Sequence, residues 1–204
     1  MLNSELKILV ERILNDIMEI LTYYVPFAMI SSIIILIIYY FFKRNRKSLS
    51  VINFLRFFWK KVMLQYLFCV YSILVVIITY LSRETGSRGG MDLQLFSTIS
   101  WSLKKNIYAL ENIMLFIPLG IFLPLLSVKL RFLHRCVLLG LLLSLAIEFV
   151  QLFTQRGFWQ IDDVLMNGVG TFVGYCISVI ITKSILQIKL QVYRQTNKSR
   201  IMKP

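Results

Sequence analysis

Five apolar blocks, each 19 to 22 residues long, constrain this chain more than any other feature of its sequence. They cover residues 21–42, 62–82, 112–130, 132–153 and 164–182. About 20 apolar residues in a helix cross the roughly 30 Å hydrocarbon core of a bilayer. Because lipid cannot satisfy exposed backbone groups, each block is expected to be helical. We therefore predict an all-α polytopic membrane protein with about five transmembrane helices, preceded by an N-terminal amphipathic helix.

The charge of the chain predicts its orientation in the membrane. Hydrophobic residues make up 57% of the chain, and yet its net charge is +13. Of the 23 Lys and Arg residues, 16 lie in segments 43–61, 129–135 and 183–204. The positive-inside rule then places these segments in the cytoplasm, with the N-terminus outside the cell and the C-terminus inside. We expect a multi-pass protein of the cell membrane whose partner is the lipid bilayer, and no nucleic-acid partner.

Residues 1–20 differ from the five blocks because acidic residues interrupt them. Leu6, Leu9, Ile13, Ile17 and Ile20 recur at helical spacing, with charged residues on the other face. This pattern is typical of an amphipathic helix at a membrane interface, here the outer one. Packing of its apolar face against the other helices is the alternative, and both stay open.

Polar residues at membrane depth are the strongest indication of a site, because burying them in lipid is costly. Glu148 lies near the end of the fourth block, with Gln151 at i+3 and Ser144 at i−4. Asp163 and Asn167 repeat this spacing at the start of the fifth block. In a helix, such residues share one face. We therefore expect the fourth and fifth helices to present polar faces at the same end.

Small residues and prolines in the third and fifth blocks indicate where helices pack. Gly170 and Gly174 form a GxxxG pattern, which allows two helix backbones to approach closely. Pro118 and Pro124 interrupt the backbone hydrogen bonds of the third block, which also holds Gly120. We assign Pro118, Gly120, Gly170 and Gly174 to helix packing.

The predicted topology brings six polar residues together at the outer leaflet. They are Asn112, Glu148, Gln151, Arg156, Asp163 and Asn167. Three interpretations are open: a hydrogen-bonded cluster that holds three helices together, a binding site for an exterior headgroup or ligand, and a catalytic or metal site. The three cysteines lack metal-type spacing, and His134 lies in a short basic turn. We therefore predict no metal and no cofactor.

Two segments of the chain resemble one known family. Residues 112–120 read N-x-x-x-F-x-P-x-G, and residues 144–151 read S-x-x-x-E-x-x-Q. The second motif continues in order with Arg156, Asp162-Asp163, Asn167, Gly170 and Gly174. This set is similar to the VanZ-like family, named for a teicoplanin-resistance protein. Asp92 and Leu95 depart from the family's Asn-Leu-x-Pro-Phe loop. The resemblance covers roughly residues 67–182.

The resemblance implies a small integral membrane protein of the Gram-positive cell envelope. It divides the chain into an N-terminal region (1–62), a VanZ-like membrane domain (63–182) and a basic cytoplasmic tail (183–204). The function we expect is lipoglycopeptide (teicoplanin) resistance through altered access or binding at the cell surface, with a lipid-linked cell-wall precursor or the lipoglycopeptide as partner. A non-catalytic role is favoured. The alternatives are a membrane enzyme acting on a lipid-linked phosphate or glycan, and transport coupled to Glu148.

Overall fold

The computed structural model of the protein is almost entirely helical. It describes residues 7, 11, 14–15, 17–43, 51–81, 91–92, 103–156 and 159–201. The elements are a π-helical turn (Ile20–Tyr24), α1 (Val25–Lys43), α2 (Val51–Val76) with a second π-helical turn (Ile77–Leu81), β1 (Met91–Asp92), α3 (Leu103–Leu126), a 3₁₀ turn (Val128–Arg131), α4 (Leu133–Thr154), β2 (Trp159–Gln160) and α5 (Ile161–Ile201). Five helices in this part of the chain are long and apolar enough to cross a membrane. The predicted all-α, multi-pass membrane architecture is confirmed.

The chain divides into two compact units, and the first, Met1–Glu84, contains α1 and α2, which pack on each other. Several of its hydroxyl groups form hydrogen bonds within their own helices. The hydroxyl of Ser32 donates to the carbonyl oxygen of Ala28 at 2.6 Å, and that of Thr79 donates to Val75 at 2.7 Å. A hydroxyl bonded to the preceding helical turn is tolerated in a membrane span. Ser32 and Thr79 thus make local hydrogen bonds.

The predicted amphipathic helix of residues 1–20 lies mostly outside the described residues. Those that are described, including Lys7 and Glu11, are helical. The first membrane span extends from Ile17 to Tyr39, so it begins four residues before the predicted block. The location of this helical segment at the outer interface stays a prediction.

The second unit, Thr85–Pro204, contains α3, α4 and α5. Helix α5 packs along both α3 and α4, whereas α3 and α4 contact each other much less and are joined by the 3₁₀ turn. The hydroxyl of Tyr175 in α5 donates to the carbonyl oxygen of Arg131 in this turn, at 2.7 Å. Helix α5 is therefore the central element of the unit, and its contacts position the site.

Two helices are longer than the apolar blocks that predicted them. Helix α3 begins at Leu103, so Asn112 lies nine residues inside it and does not open it as expected. Helix α5 continues to Ile201, through the segment predicted to be a tail. The start of α3 and the end of α5 differ from the prediction for the same reason. Apolar composition sets the length of a membrane span, whereas a helix ends where Gly, Pro or a cap stops it. Residues 175–203 contain neither Gly nor Pro.

A short pairing between two connecting segments was not predicted. Met91–Asp92 and Trp159–Gln160 form a two-residue parallel bridge, with Met91 opposite Trp159 and Asp92 opposite Gln160. The connection that precedes α3 is therefore joined to the connection between α4 and α5. The bridge lies next to the first turn of α5, where it also contacts α4.

Candidate functional site

One face of α4 is buried and becomes increasingly polar toward the end of the helix. Its buried residues are Cys136, Gly140, Ser144, Glu148 and Gln151, spaced by four, four, four and three residues. This spacing keeps them on one side of a helix. The face runs from small residues at the start of α4 to a carboxylate and an amide near its end.

The matching face of α5 carries the rest of the site. Asp162 and Asp163 lie in its first turn, and Asn167 follows one turn later; all three are at most 8% exposed. Carboxylates in the first turn also interact favourably with the positive end of the helix dipole. Thr171 is completely buried, and its hydroxyl donates to the carbonyl oxygen of Asn167 at 2.9 Å.

We call the six buried polar residues at this end of α4 and α5 the polar site. They are Ser144, Glu148, Gln151, Asp162, Asp163 and Asn167, and none is more than 8% exposed. A direct hydrogen bond joins the two helices across it, because the Asn167 side-chain amide donates to the Ser144 hydroxyl oxygen at 2.7 Å. Glu148 is tied to the connection between the helices by the backbone N–H of Gln160, which donates to its carboxylate at 3.3 Å.

Glycines allow α3 and α5 to approach each other closely next to the polar site. A Cβ at Gly170 would collide with the carbonyl oxygen of Ile113, and one at Gly174 would collide with that of Ile117. On α3, a Cβ at Gly120 would collide with the carbonyl oxygen of Thr171. The backbones of α3 and α5 are therefore in direct contact. Close approach of this kind is the known consequence of small residues in membrane helices.

The end of α4 fixes the position of Arg156. Gln155 adopts a left-handed conformation (φ 53°), and its N–H donates to the carbonyl oxygen of Leu152. The N–H of Arg156 donates to the carbonyl oxygen of Gln151 at 3.0 Å. This pair of bonds is the Schellman arrangement that terminates helices. It places the partly buried Arg156 directly after the last turn of α4, beside the polar site.

Asn167 leaves one polar atom unsatisfied. Its amide nitrogen is bonded to Ser144, but its oxygen Oδ1 is buried and accepts no hydrogen bond from any described residue. Leaving a buried acceptor unpaired costs about 1–3 kcal/mol, so such atoms are rare in folded proteins. An atom of this kind is the expected position for a donor supplied by a water molecule or a ligand.

The structure places the six predicted site residues at two depths. Glu148, Gln151, Asp163 and Asn167 belong to the polar site, and Arg156 lies beside it. Asn112 is partly buried on α3 at a deeper level, since the next residue contacts Gly170, one turn beyond Asn167.

Asp162 and Ser144 belong to the polar site although the predicted cluster omits them. Both stand in the quoted family motif, and Ser144 also has the i−4 spacing from Glu148. The contribution of Gln160 comes from its backbone N–H, which no residue type in the sequence could indicate. Among the residues that the structure describes, no group of three or more His, Cys, Asp or Glu side chains is placed to hold a metal ion.

Comparison with known proteins identifies the family. The family model VanZ/LLP1 matches residues 27–182, about three-quarters of the chain. The match begins 40 residues before residue 67, where the resemblance seen in the sequence begins. It therefore includes most of the first span as well as the polar site. No curated protein and no solved structure matches the chain. The chain therefore belongs to the VanZ/LLP1 family of membrane proteins.

Proposed function

We propose that this protein binds the polar headgroup of a cell-envelope molecule at the polar site, from the outer side of the cell membrane. The observation that carries the proposal is the burial of six polar side chains between the predominantly apolar spans of α4 and α5, with the Asn167 amide oxygen still lacking a described donor. A membrane protein that needed only packing would place apolar residues there at lower cost. A ligand that donates a hydrogen bond would satisfy this oxygen.

The distribution of charge supports an outward-facing site. Arg131 lies in the 3₁₀ turn before α4 and Arg135 in the first turn of α4, whereas Glu148 lies 13 residues beyond Arg135, about 20 Å away. Basic residues favour the cytoplasmic side of a bilayer. The polar site then opens toward the other side, where lipid-linked cell-wall precursors and lipoglycopeptides are accessible.

In this proposal, occupancy of the polar site changes the access of lipoglycopeptides to the cell surface. Arg156 would contact the ligand at the rim of the site, because it follows the last turn of α4. Glu148 and Asn167 would accept hydrogen bonds from it further inside. Teicoplanin susceptibility is the phenotype that the family resemblance suggests.

The test is the susceptibility of a strain that overexpresses the protein. Glu148→Gln keeps the size of the side chain and removes its charge, and Arg156→Ala removes the rim cation. We expect both variants to return teicoplanin susceptibility to the level of cells without the protein. Ser178→Ala is the matched control, since Ser178 is a buried polar residue of α5 eleven positions beyond Asn167. If both site variants insert normally and protect cells as well as the control does, the resistance proposal is wrong.

Buried carboxylates favour a second candidate function, a membrane enzyme that acts on a lipid-linked phosphate or glycan. Glu148 and Asp162 are at most 3% exposed, and carboxylates in such surroundings are typical of acid–base catalysis. An enzyme must leave an altered product. Compositional analysis of lipids and peptidoglycan from cells with and without the protein distinguishes the candidates, because binding alone leaves both compositions unchanged.

A further inference from the structure

The second half of α5 extends beyond any bilayer that its first half crosses. The helix has 41 residues and is about 62 Å long, twice the thickness of the hydrocarbon core. Its contacts with the other helices end near Ser178, which is 2% exposed, and every described side chain from 180 to 195 is exposed. We call residues 181–201 the α5 extension.

The α5 extension presents two rows of large apolar side chains, about 140° apart around the helix at 100° per residue. Ile181, Ile185 and Ile188 form the first row, with 46%, 49% and 59% of their surfaces exposed. The second row is formed by Leu186, Leu190 and Tyr193, which are 56%, 48% and 65% exposed. Both rows have i, i+4, i+7 spacing, so each follows one side of the helix. A helix that projected straight into water would leave both rows solvated, which is unfavourable.

The charge of the α5 extension has a single sign. At 100° per residue, Lys183 and Arg194 lie opposite the first row and next to the second, and Lys189 lies between the two rows. The long stem of Lys189 can follow the apolar rows while its ammonium group reaches headgroups. Asp163 is the last acidic residue of the chain, so six Lys and Arg residues follow position 182 with no acid to neutralise them.

We propose that the α5 extension is a membrane-surface helix that binds anionic lipid headgroups. Apolar rows beside uncompensated basic residues are the pattern that holds a helix at an anionic interface. A second copy of the chain is a poorer occupant, because pairing two extensions would bring six positive charges against six. The proposal does not depend on what the polar site binds.

The experiment places the full-length protein in vesicles of neutral phosphatidylcholine, with or without 30% phosphatidylglycerol. An environment-sensitive dye is attached to Ile188→Cys after Cys69, Cys136 and Cys176 are replaced by alanine. In the anionic vesicles we expect the dye emission to shift to the blue and to be quenched by brominated lipid, and high salt should reverse both changes. In neutral vesicles the dye should stay exposed to water.

Two triple variants test the role of charge. Replacing Lys183, Lys189 and Arg194 by Gln should lower the equilibrium constant for surface binding about 100-fold, since each basic residue contributes roughly a factor of five. The matched control replaces each basic residue by the other basic type (Lys183→Arg, Lys189→Arg, Arg194→Lys), which keeps the charge, and should bind like the parent.

Hydrogen exchange of the unlabelled wild-type chain provides an independent measurement. Slower exchange over 183–201 is expected only in anionic vesicles.

Three outcomes would overturn the proposal. A blue shift that is equal in neutral and anionic vesicles would show that the apolar rows bind without lipid charge. A shift that grows with protein density at fixed lipid composition would identify a second copy as the occupant. Emission and exchange that report a solvated helix in both membranes would show that the α5 extension binds no lipid surface.

Discussion

The contact between α3 and α5 is the feature that substitution can test most directly, and Gly174→Ala is the change to make. A Cβ at Gly174 would collide with the carbonyl oxygen of Ile117 and lie 3.0 Å from the Cα of Gly120. Carbon atoms pack best at about 3.5–4.0 Å, so the helices would have to separate by about 1 Å. Such overpacking costs about 1–3 kcal/mol. Replacing Gly by Ala inside a helix returns about 1 kcal/mol at the same time.

Gly168→Ala separates these two effects, because it makes the same substitution on the same helix without a backbone collision. A Cβ there would approach only the terminal methyl group of Leu141, at 2.6 Å, and a side-chain end can move aside. Both variants gain the same helix propensity. We therefore expect Gly174→Ala to have a free energy of unfolding about 1–3 kcal/mol lower than Gly168→Ala.

Equilibrium unfolding by sodium dodecyl sulfate in mixed micelles, followed by circular dichroism, measures this difference. Gly120→Ala extends the test, because Gly120 faces Gly174 across the contact. Once one alanine has moved the helices apart, the second should cost less, so the double variant should be more stable than the sum of the single changes predicts. Equal stability of Gly174→Ala and Gly168→Ala would refute the direct backbone contact.

Three further predictions concern the turn, the polar site and the topology. Tyr175→Phe removes the 2.7 Å bond to the carbonyl oxygen of Arg131 and should lower the free energy of unfolding by about 0.5–1.5 kcal/mol in the same micelles; an unchanged value would argue against that bond. Asn167→Ala loses a bond to α4 but also removes the unsatisfied oxygen, so it should cost less than about 1 kcal/mol of stability while abolishing protection against teicoplanin. A variant that unfolds readily would instead give Asn167 a structural role. A single cysteine at Arg156 should react with an impermeant reagent from outside intact cells, and one at Lys198 only after lysis; the reverse pattern would reject the outward-facing site.

The polar site could be predicted from the sequence because its residues are polar and the residues around them in the chain are apolar. Ser144, Glu148 and Gln151 are polar residues at helical spacing inside an apolar block, and the structure buries all three. Asp163 and Asn167 follow the same rule on α5. A single helical period is enough for this inference, since the side chains of one helix face are fixed by local geometry.

The remaining features depend on contacts between distant segments, and no local pattern predicts them. The pairing of Met91–Asp92 with Trp159–Gln160 joins two-residue segments far apart in the chain, and strands this short carry no period. It matters for the site because it includes Gln160, whose N–H bonds to Glu148. The third helix also begins earlier than the apolar block that starts at Asn112, because charged residues such as Lys104, Lys105 and Glu111 limit an apolar block but do not end a helix.

Helix α5 explains how the chain can carry a strong positive charge without that charge neutralising the carboxylates of the polar site. Its only acidic residues, Asp162 and Asp163, lie in the first turn, and its basic residues all follow position 182. Glycine contacts with α3 fix the part between, at Gly170 and Gly174. The acidic and basic residues of this one continuous helix are therefore at least about 30 Å apart along its axis, the thickness of a hydrocarbon core. The basic residues can then hold one end at anionic lipid without neutralising the carboxylates at the other.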